Sequence, residues 1–314
     1  MSGLQKANTL KTKRRLPHPI DQSMLYEIQS KSKLVEVLEL RSLQALQALV
    51  ELGPNAYRAY TDEVTGRDIQ YPLEEMAECH KRLARLLSRI ATPDYVHSKK
   101  GRSYVTNALA HANGMPLFKT DISQYFPSTT FGNIHRFYRE DLKCSPDVAW
   151  HLTTLSTYDG HIPTGSTISN HLAFLANRPM FDQIDTNVRQ RGCKMTLLQD
   201  DITVSGMSAS KKVLNDIVMM IRKWGLSANL KHKKTKSYPA NSIKLVTGVI
   251  LNGDSIALPH RRRKLLALAD AKVHAAESLK DCEDALLKLR GRVNEADQID
   301  PSAVHRRFRD TAAS

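Results

Sequence analysis

Long apolar runs are missing from this 314-residue chain. Nowhere do about 18 uncharged apolar residues follow one another, which argues against a membrane-spanning helix. Cysteine is scarce as well. Cys79, Cys144, Cys193 and Cys282 lie far apart, with no CxxC pair and no Cys/His spacing suited to zinc, so they read as reduced, mostly structural thiols. The N-terminus, MSGLQKANTLKTKRRLPHPI, has neither an apolar core nor a small-residue cleavage site, and a cytoplasmic location is the expectation. No internal repeat or low-complexity tract is present. Acidic residues are in the minority, 32 Asp and Glu against 46 Lys and Arg, which leaves a formal charge of +14. Such an excess favours a polyanionic partner. Nucleic acid fits better than a membrane surface, because no basic amphipathic stretch carries a bulky aromatic face.

What is present is a chain long enough for one large core and two or three subdomains. Apolar residues at helical spacing between positions 22 and 52, among them Leu25, Ile28, Leu34, Leu38, Leu46 and Leu49, predict a helical N-terminal region. Tyr57 to Tyr71 surround the turn-like Asp62-Glu63-Val64-Thr65-Gly66 and predict a hairpin, followed after Pro72 by an amphipathic helix to about Ile90. A strand is expected from 117, helices over 132–158 and 171–189, a hairpin around 195–204, and a helix over 209–224. A basic loop at 231–237, strands within 243–257 and a charged helical remainder complete the pattern.

Two stretches carry chemistry. TLLQDDITVSG, residues 196 to 206, sets Asp200 and Asp201 between two β-prone arms. By itself a double Asp in a tight turn is a solvated turn. LFKTDISQYFPST, residues 117 to 129, has an apolar strand ending at Asp121. If that strand lies beside the hairpin, three carboxylates converge, and their repulsion calls for hard cations. Two Mg²⁺ ions held by Asp121, Asp200 and Asp201 would suit an in-line nucleotidyl transfer.

At these residues the chain resembles the reverse transcriptases, most closely the bacterial retron type. Asp121 followed by Tyr125, Phe126, Pro127 and Ser128 matches the aspartate-bearing strand of that family, and Asp200 and Asp201 match its double aspartate. The resemblance implies that all three are catalytic and metal-binding, and that Phe126 is the steric gate against a ribose 2′-hydroxyl. Asn107-Ala108-Leu109-Ala110-His111 matches the NAxxH element of retron enzymes, and Val246-Thr247-Gly248 their VTG triplet. Ile162 to Ser169 resembles the Leu-Pro-Gln-Gly loop that contacts the incoming nucleotide, with Thr164 in place of the Gln, Gly165 retained, and Asn170 where Pro is usual. Arg67 and Lys234 (with Lys233, before Thr235) resemble residues near the nucleotide triphosphate. Lys99, Lys100 and Arg102 fall where the family contacts template. Asn107, His111, Arg261, Arg262 and Arg263 are expected to bind RNA. Leu198 and Gln199 replace the usual Tyr and Ala before the double aspartate, which implies altered fidelity or processivity while sparing the metal ligands.

The resemblance implies an α+β right-hand polymerase fold: an N-terminal helical region (1–56), fingers (57–116), a palm of antiparallel sheet plus helices (117–254, with a fingers insertion at about 130–165) and a helical thumb (255–314). It implies an RNA-directed DNA polymerase that uses deoxynucleotide triphosphates to copy part of a structured noncoding RNA into multicopy single-stranded DNA. An effector protein of the same anti-phage defence system would be a partner, and no membrane is implied. Two rivals stay open: a polymerase-shaped RNA-binding protein without synthesis, and another bacterial reverse transcriptase of the intron-encoded or abortive-infection type.

Overall fold

The computed structural model describes residues 16–232 and 234–301. In chain order the helices and strands are α1 (Lys31–Leu38), α2 (Leu43–Leu52), β1 (Tyr57–Asp62), β2 (Arg67–Pro72), α3 (Glu74–Leu87) and α4 (Tyr104–Leu109). Then come β3 (Leu117–Asp121), α5 (Tyr125–Ser128), α6 (Phe131–Arg136), α7 (Pro146–Ser156), α8 (Ser169–Gln190), β4 (Lys194–Leu198) and β5 (Asp201–Ser205). The chain continues through α9 (Lys211–Lys223), β6 (Lys236–Tyr238), β7 (Lys244–Val246), β8 (Val249–Asn252), β9 (Ser255–Ala257), α10 (His260–His274) and α11 (Leu279–Ile299). The fold is mixed α+β, and its sheets are antiparallel. Among the described residues no helix is long and apolar enough to cross a membrane.

The chain divides into two compact units. One holds the described residues up to Ala91 together with Thr129–Ala176; the other holds Thr92–Ser128 and the described residues from Asn177 onward. Residues 92–116, expected among the fingers, therefore group with the sheet that carries β3.

In the first unit, serine caps set the helix starts: the Ser30 hydroxyl accepts from the Lys33 N–H, and the Ser42 hydroxyl from that of Ala45. Leu34 and Leu38 of α1, Leu46 and Leu49 of α2, Met76 and Leu83 of α3, and Leu152 and Leu155 of α7 are buried and make its core. The β1–β2 hairpin is closed by Asp62, whose carboxylate accepts from the Thr65 N–H at 2.7 Å and from the Thr65 hydroxyl at 2.6 Å.

In the second unit, a four-stranded sheet runs in the order β4-β5-β3-β6. Phe118, Met195 and Val204 are buried on one of its faces. A three-stranded sheet, β7-β8-β9, joins α4, α10 and α11 around one apolar cluster that includes Val105, Ala108, Val249, Leu251, Leu266 and Leu289. The turn between β7 and β8 consists of Thr247 and Gly248, both at positive φ (44° and 81°). That pairing of left-handed residues is the one a two-residue hairpin of native twist requires.

Candidate active site

Side chains alternate along a strand, so Leu117, Lys119 and Asp121 of β3 share one face. β5 pairs with β3 in the register Asp121↔Asp201 and Lys119↔Thr203, which sets the two aspartates side by side across the ladder. Two residues, Gln199 and Asp200, connect Leu198 to Asp201, and Gln199 takes a left-handed φ of 60°. The tightness of that turn brings Asp200 next to the pair: its carbonyl accepts from the Ile122 N–H at 3.2 Å. The Asp121 backbone carbonyl accepts from Asn229 at 2.8 Å, tying β3 to the segment that leads into the basic loop.

The electrostatics follow from crowding. Asp121 is 3% exposed, and its Oδ1 is buried without a hydrogen-bond partner among the described residues. Lys234 donates its Nζ to the other oxygen, Oδ2, at 3.0 Å. That hydrogen bond, together with the carboxylates around it, raises the Lys234 ammonium above its usual range. Burial, then the charges of Asp200 and Asp121, push the Asp201 carboxyl up to about 6. Burial holds Lys119 below the usual lysine range, with Asp201 pulling it back. Among the described residues no group of three or more His, Cys, Asp or Glu is arranged so as to hold a metal ion. An orphaned carboxylate oxygen beside a second carboxyl that resists ionisation nonetheless suits a hard cation, and Lys234 partly meets that demand.

Phe126 lies on the single turn α5 and is half-buried, its ring centroid 5.8 Å from that of Tyr125. Lys233 lies outside the described residues. Thr235 anchors the basic loop: its hydroxyl is 2.7 Å from that of Thr120 and donates to the Asn229 carbonyl at 2.7 Å.

The NAxxH residues are interior. His111 is 1% exposed; its Nδ1 lies 2.7 Å from the Ser205 hydroxyl and its Nε2 2.8 Å from that of Thr196. It thereby pins the end of α4 to β4 and β5. Burial drives its pKa down to about 3, so the ring is neutral at pH 7. Asn107 is 0% exposed, with no partner for either amide atom among the described residues. Neither side chain reaches solvent in this structure, which does not suit the direct RNA contact expected of these two.

The cations of the 99–102 loop divide similarly. Lys99 donates to the Pro93 carbonyl at 3.0 Å, and Arg102 bonds the backbone and carboxylate of Asp94, so both knot their own loop. Lys100 is exposed. Of the arginine run, Arg261 and Arg263 are exposed, although Arg263 Nε donates to the Leu258 carbonyl at 3.0 Å. Arg262 turns inward. Its guanidinium lies 4.9 Å from the Tyr104 ring centroid, 3.2 Å from a Glu295 carboxylate oxygen, and against Gly248, where a Cβ would meet it at 2.7 Å. Arg262 thus bridges α4, the β7–β8 turn and α11, and its guanidinium is engaged within the protein rather than held out toward RNA.

In the first unit, Arg67 is exposed at the start of β2, after the hairpin turn. Thr164 and Gly165 lie in the loop before α8, held against β2 by the Gln70 N–H, which donates to the Thr164 carbonyl at 2.6 Å.

No protein-family model matches the chain. Curated proteins do. Retron Se72 reverse transcriptase of Salmonella heidelberg (strain 579083-10) is 26% identical over 227 residues, 70% of this chain and 58% of that protein. Retron Ec86 reverse transcriptase of Escherichia coli is 27% identical over 246 residues, 74% of each. The chain is similar to the retron reverse transcriptases. A third of them, Retron Ec48 reverse transcriptase of Escherichia coli, is 26% identical over 216 residues, 66% of this chain and 52% of that protein. The chain thus spans little more than half the length of the Se72 and Ec48 retron reverse transcriptases. The resemblance to retron reverse transcriptases read from the motifs is the one that similarity over two thirds to three quarters of the chain recovers. Lys119 was missed in that reading, although its signal was available: two residues before Asp121 on a strand is the same face.

Proposed function

We propose that this protein is the RNA-directed DNA polymerase of a retron. It copies part of a structured noncoding RNA into multicopy single-stranded DNA, starting from an RNA 2′-hydroxyl, and serves in anti-phage defence beside an effector protein. The observation that carries the reading is the β3–β5 register, which sets Asp121 against Asp201 with Asp200 in the adjoining turn, in a chain similar to retron reverse transcriptases. In this assignment the four-stranded sheet is the palm, the β1–β2 hairpin and the 162–169 loop belong to the fingers, and α10 and α11 form the thumb.

Asp121, Asp200 and Asp201 would hold two Mg²⁺ ions, which when bound supply the charge that an in-line nucleotidyl transfer needs. Lys234 balances the carboxylates from the other side, within reach of a triphosphate. Phe126 excludes the 2′-hydroxyl of a ribonucleotide, and Arg67, Thr164 and Gly165 receive the incoming deoxynucleotide. Lys100, Arg261 and Arg263 face RNA phosphates, which fix position without reading sequence.

The test is DNA synthesis by the purified protein with its copurifying RNA, deoxynucleotides and Mg²⁺. Wild type should extend, and Asp121→Asn should lose at least about a hundredfold in rate while retaining RNA binding. Synthesis at the wild-type rate by Asp121→Asn, or none by the wild type, overturns the assignment.

A further inference from the structure

The loop at 162–169 is held far more firmly than a turn of its composition needs. Gln70, on β2 and 6% exposed, engages both backbone polar groups of Thr164. Its N–H donates to the Thr164 carbonyl at 2.6 Å, and its side-chain Oε1 accepts from the Thr164 N–H at 2.9 Å. The side-chain amide therefore stands where a neighbouring strand's carbonyl would stand, and one residue supplies a complete two-bond rung. Gly165 comes next at a φ of 110°. A Cβ there would lie 3.0 Å from Ile69 Cγ2 and 3.4 Å from the Gln70 carbonyl oxygen. Only glycine allows so close an approach at that φ.

One residue further on, the Ser166 hydroxyl lies 2.6 Å from Nδ1 of His80, which is fully buried on α3. The other ring nitrogen, Nε2, lies 2.6 Å from the Leu155 carbonyl. A carbonyl only accepts, so Nε2 carries the proton and Nδ1 accepts from Ser166. Finally the Ser169 hydroxyl donates to the Pro163 carbonyl at 2.6 Å, closing the loop on itself.

We propose that Gln70 is the positioning residue for this loop: with His80 behind Ser166, it latches Thr164 and Gly165 at the height at which they meet the incoming nucleotide. The proposal rests on the reading of the loop as nucleotide-contacting.

The experiment compares Gln70→Leu, which keeps the bulk and removes the acceptor, with Gln70→Glu, which keeps an acceptor oxygen. Two quantities are read: hydrogen exchange at the Thr164 amide, which needs no catalysis, and steady-state incorporation with the nucleotide varied. In Gln70→Leu the half-buried Thr164 N–H loses its partner, so its exchange should quicken and the nucleotide KM should rise, each by about tenfold. The kcat and the affinity for primed template should hold within about twofold, and Gln70→Glu should recover most of both losses. Should Gln70→Leu fail to fold, Ser166→Ala removes only the hydroxyl bonded to His80, and its nucleotide KM should rise about threefold. Thr164 protection unchanged in Gln70→Leu overturns the latch. Protection lost with the nucleotide KM unchanged, in that variant or in Ser166→Ala, overturns the positioning role. A wild type that protects Thr164 yet makes no DNA removes the activity on which that role rests, and is told apart from failure of the latch by the exchange measurement.

Discussion

At the scale of single residues, crowding is what gives Asp121 and Asp201 their properties: side by side on adjacent strands, beside Asp200, they repel one another and draw in Lys234. Phe126, five positions on, allows a sharper test than the aspartates because its removal should change selectivity rather than rate. Phe126→Ala is expected to raise ribonucleotide relative to deoxynucleotide incorporation by roughly 10- to 200-fold, the range of a lost apolar contact, measured by single-nucleotide extension. An unchanged ratio would return Phe126 to ordinary packing. The aspartates were legible in the sequence because a strand of known period ends at Asp121 and a tight turn follows Leu198. Gln70 was not, since nothing local distinguishes a strand glutamine that faces solvent from one that caps a loop almost a hundred residues away. Asn107 and His111 were found as a motif and expected to bind RNA, but nothing local to the motif shows the pairing with Ser205 and Thr196 that puts His111 inside.

Among the elements, the hairpins and long helices followed their sequence patterns closely: β1–β2 and β4–β5 sit where turn chemistry and β-branched arms placed them, and α3 and α9 where apolar spacing did. α4 was illegible, being short and defined by the Ser103–Thr106 capping box and by what it packs against. α10 shows how one element divides its labour. With Arg262 fixed inward, Arg261 and Arg263 flank it on either side of the helix. Arg262→Ala should lower unfolding free energy by about 1–2 kcal/mol, from the lost cation–π contact and the partly shielded pairing with Glu295, as read by urea denaturation. Arg261→Ala with Arg263→Ala should stay within about 0.5 kcal/mol of wild type yet flatten the salt dependence of RNA binding by up to about 0.9 log unit per phosphate lost. If the double variant keeps the wild-type salt slope, the exposed arginines face only solvent.

For the whole molecule, charge and protonation set the working range. A formal charge of +14 should make encounter with a polyanion, the proposed RNA included, fast at low salt and progressively weaker as salt rises. Buried histidines, His80 and His111 among them, make the fold sensitive to acid. Burial lowers His80 to about 4 and His111 to about 3, against 6.5 for an ordinary histidine. Between those values the unfolded chain binds protons that the folded chain refuses at these rings, so their contribution to stability is intact above about pH 6.5 and falls as the pH drops toward 4. His80 alone should account for a loss on the order of 3 kcal/mol over that window. Urea midpoints at successive pH values should show the decline, and His111→Gln should make it shallower; an identical slope in that variant would assign the acid sensitivity elsewhere.

The position of β3 between β5 and β6 has a consequence for the order of biosynthesis. The β1–β2 hairpin needs only its own few residues and can form as soon as they emerge from the ribosome. Asp121 is made early, but the strands on either side of it, Asp201–Ser205 and Lys236–Tyr238, are made much later. Until Tyr238 has emerged, β3 is an open edge in a nascent chain, the kind that pairs with the wrong partner. Pairing across so long a stretch of chain is also slow. The strand that carries Asp121 is thus translated early and completed late, and the interval between is when a nascent copy is most exposed to aggregation.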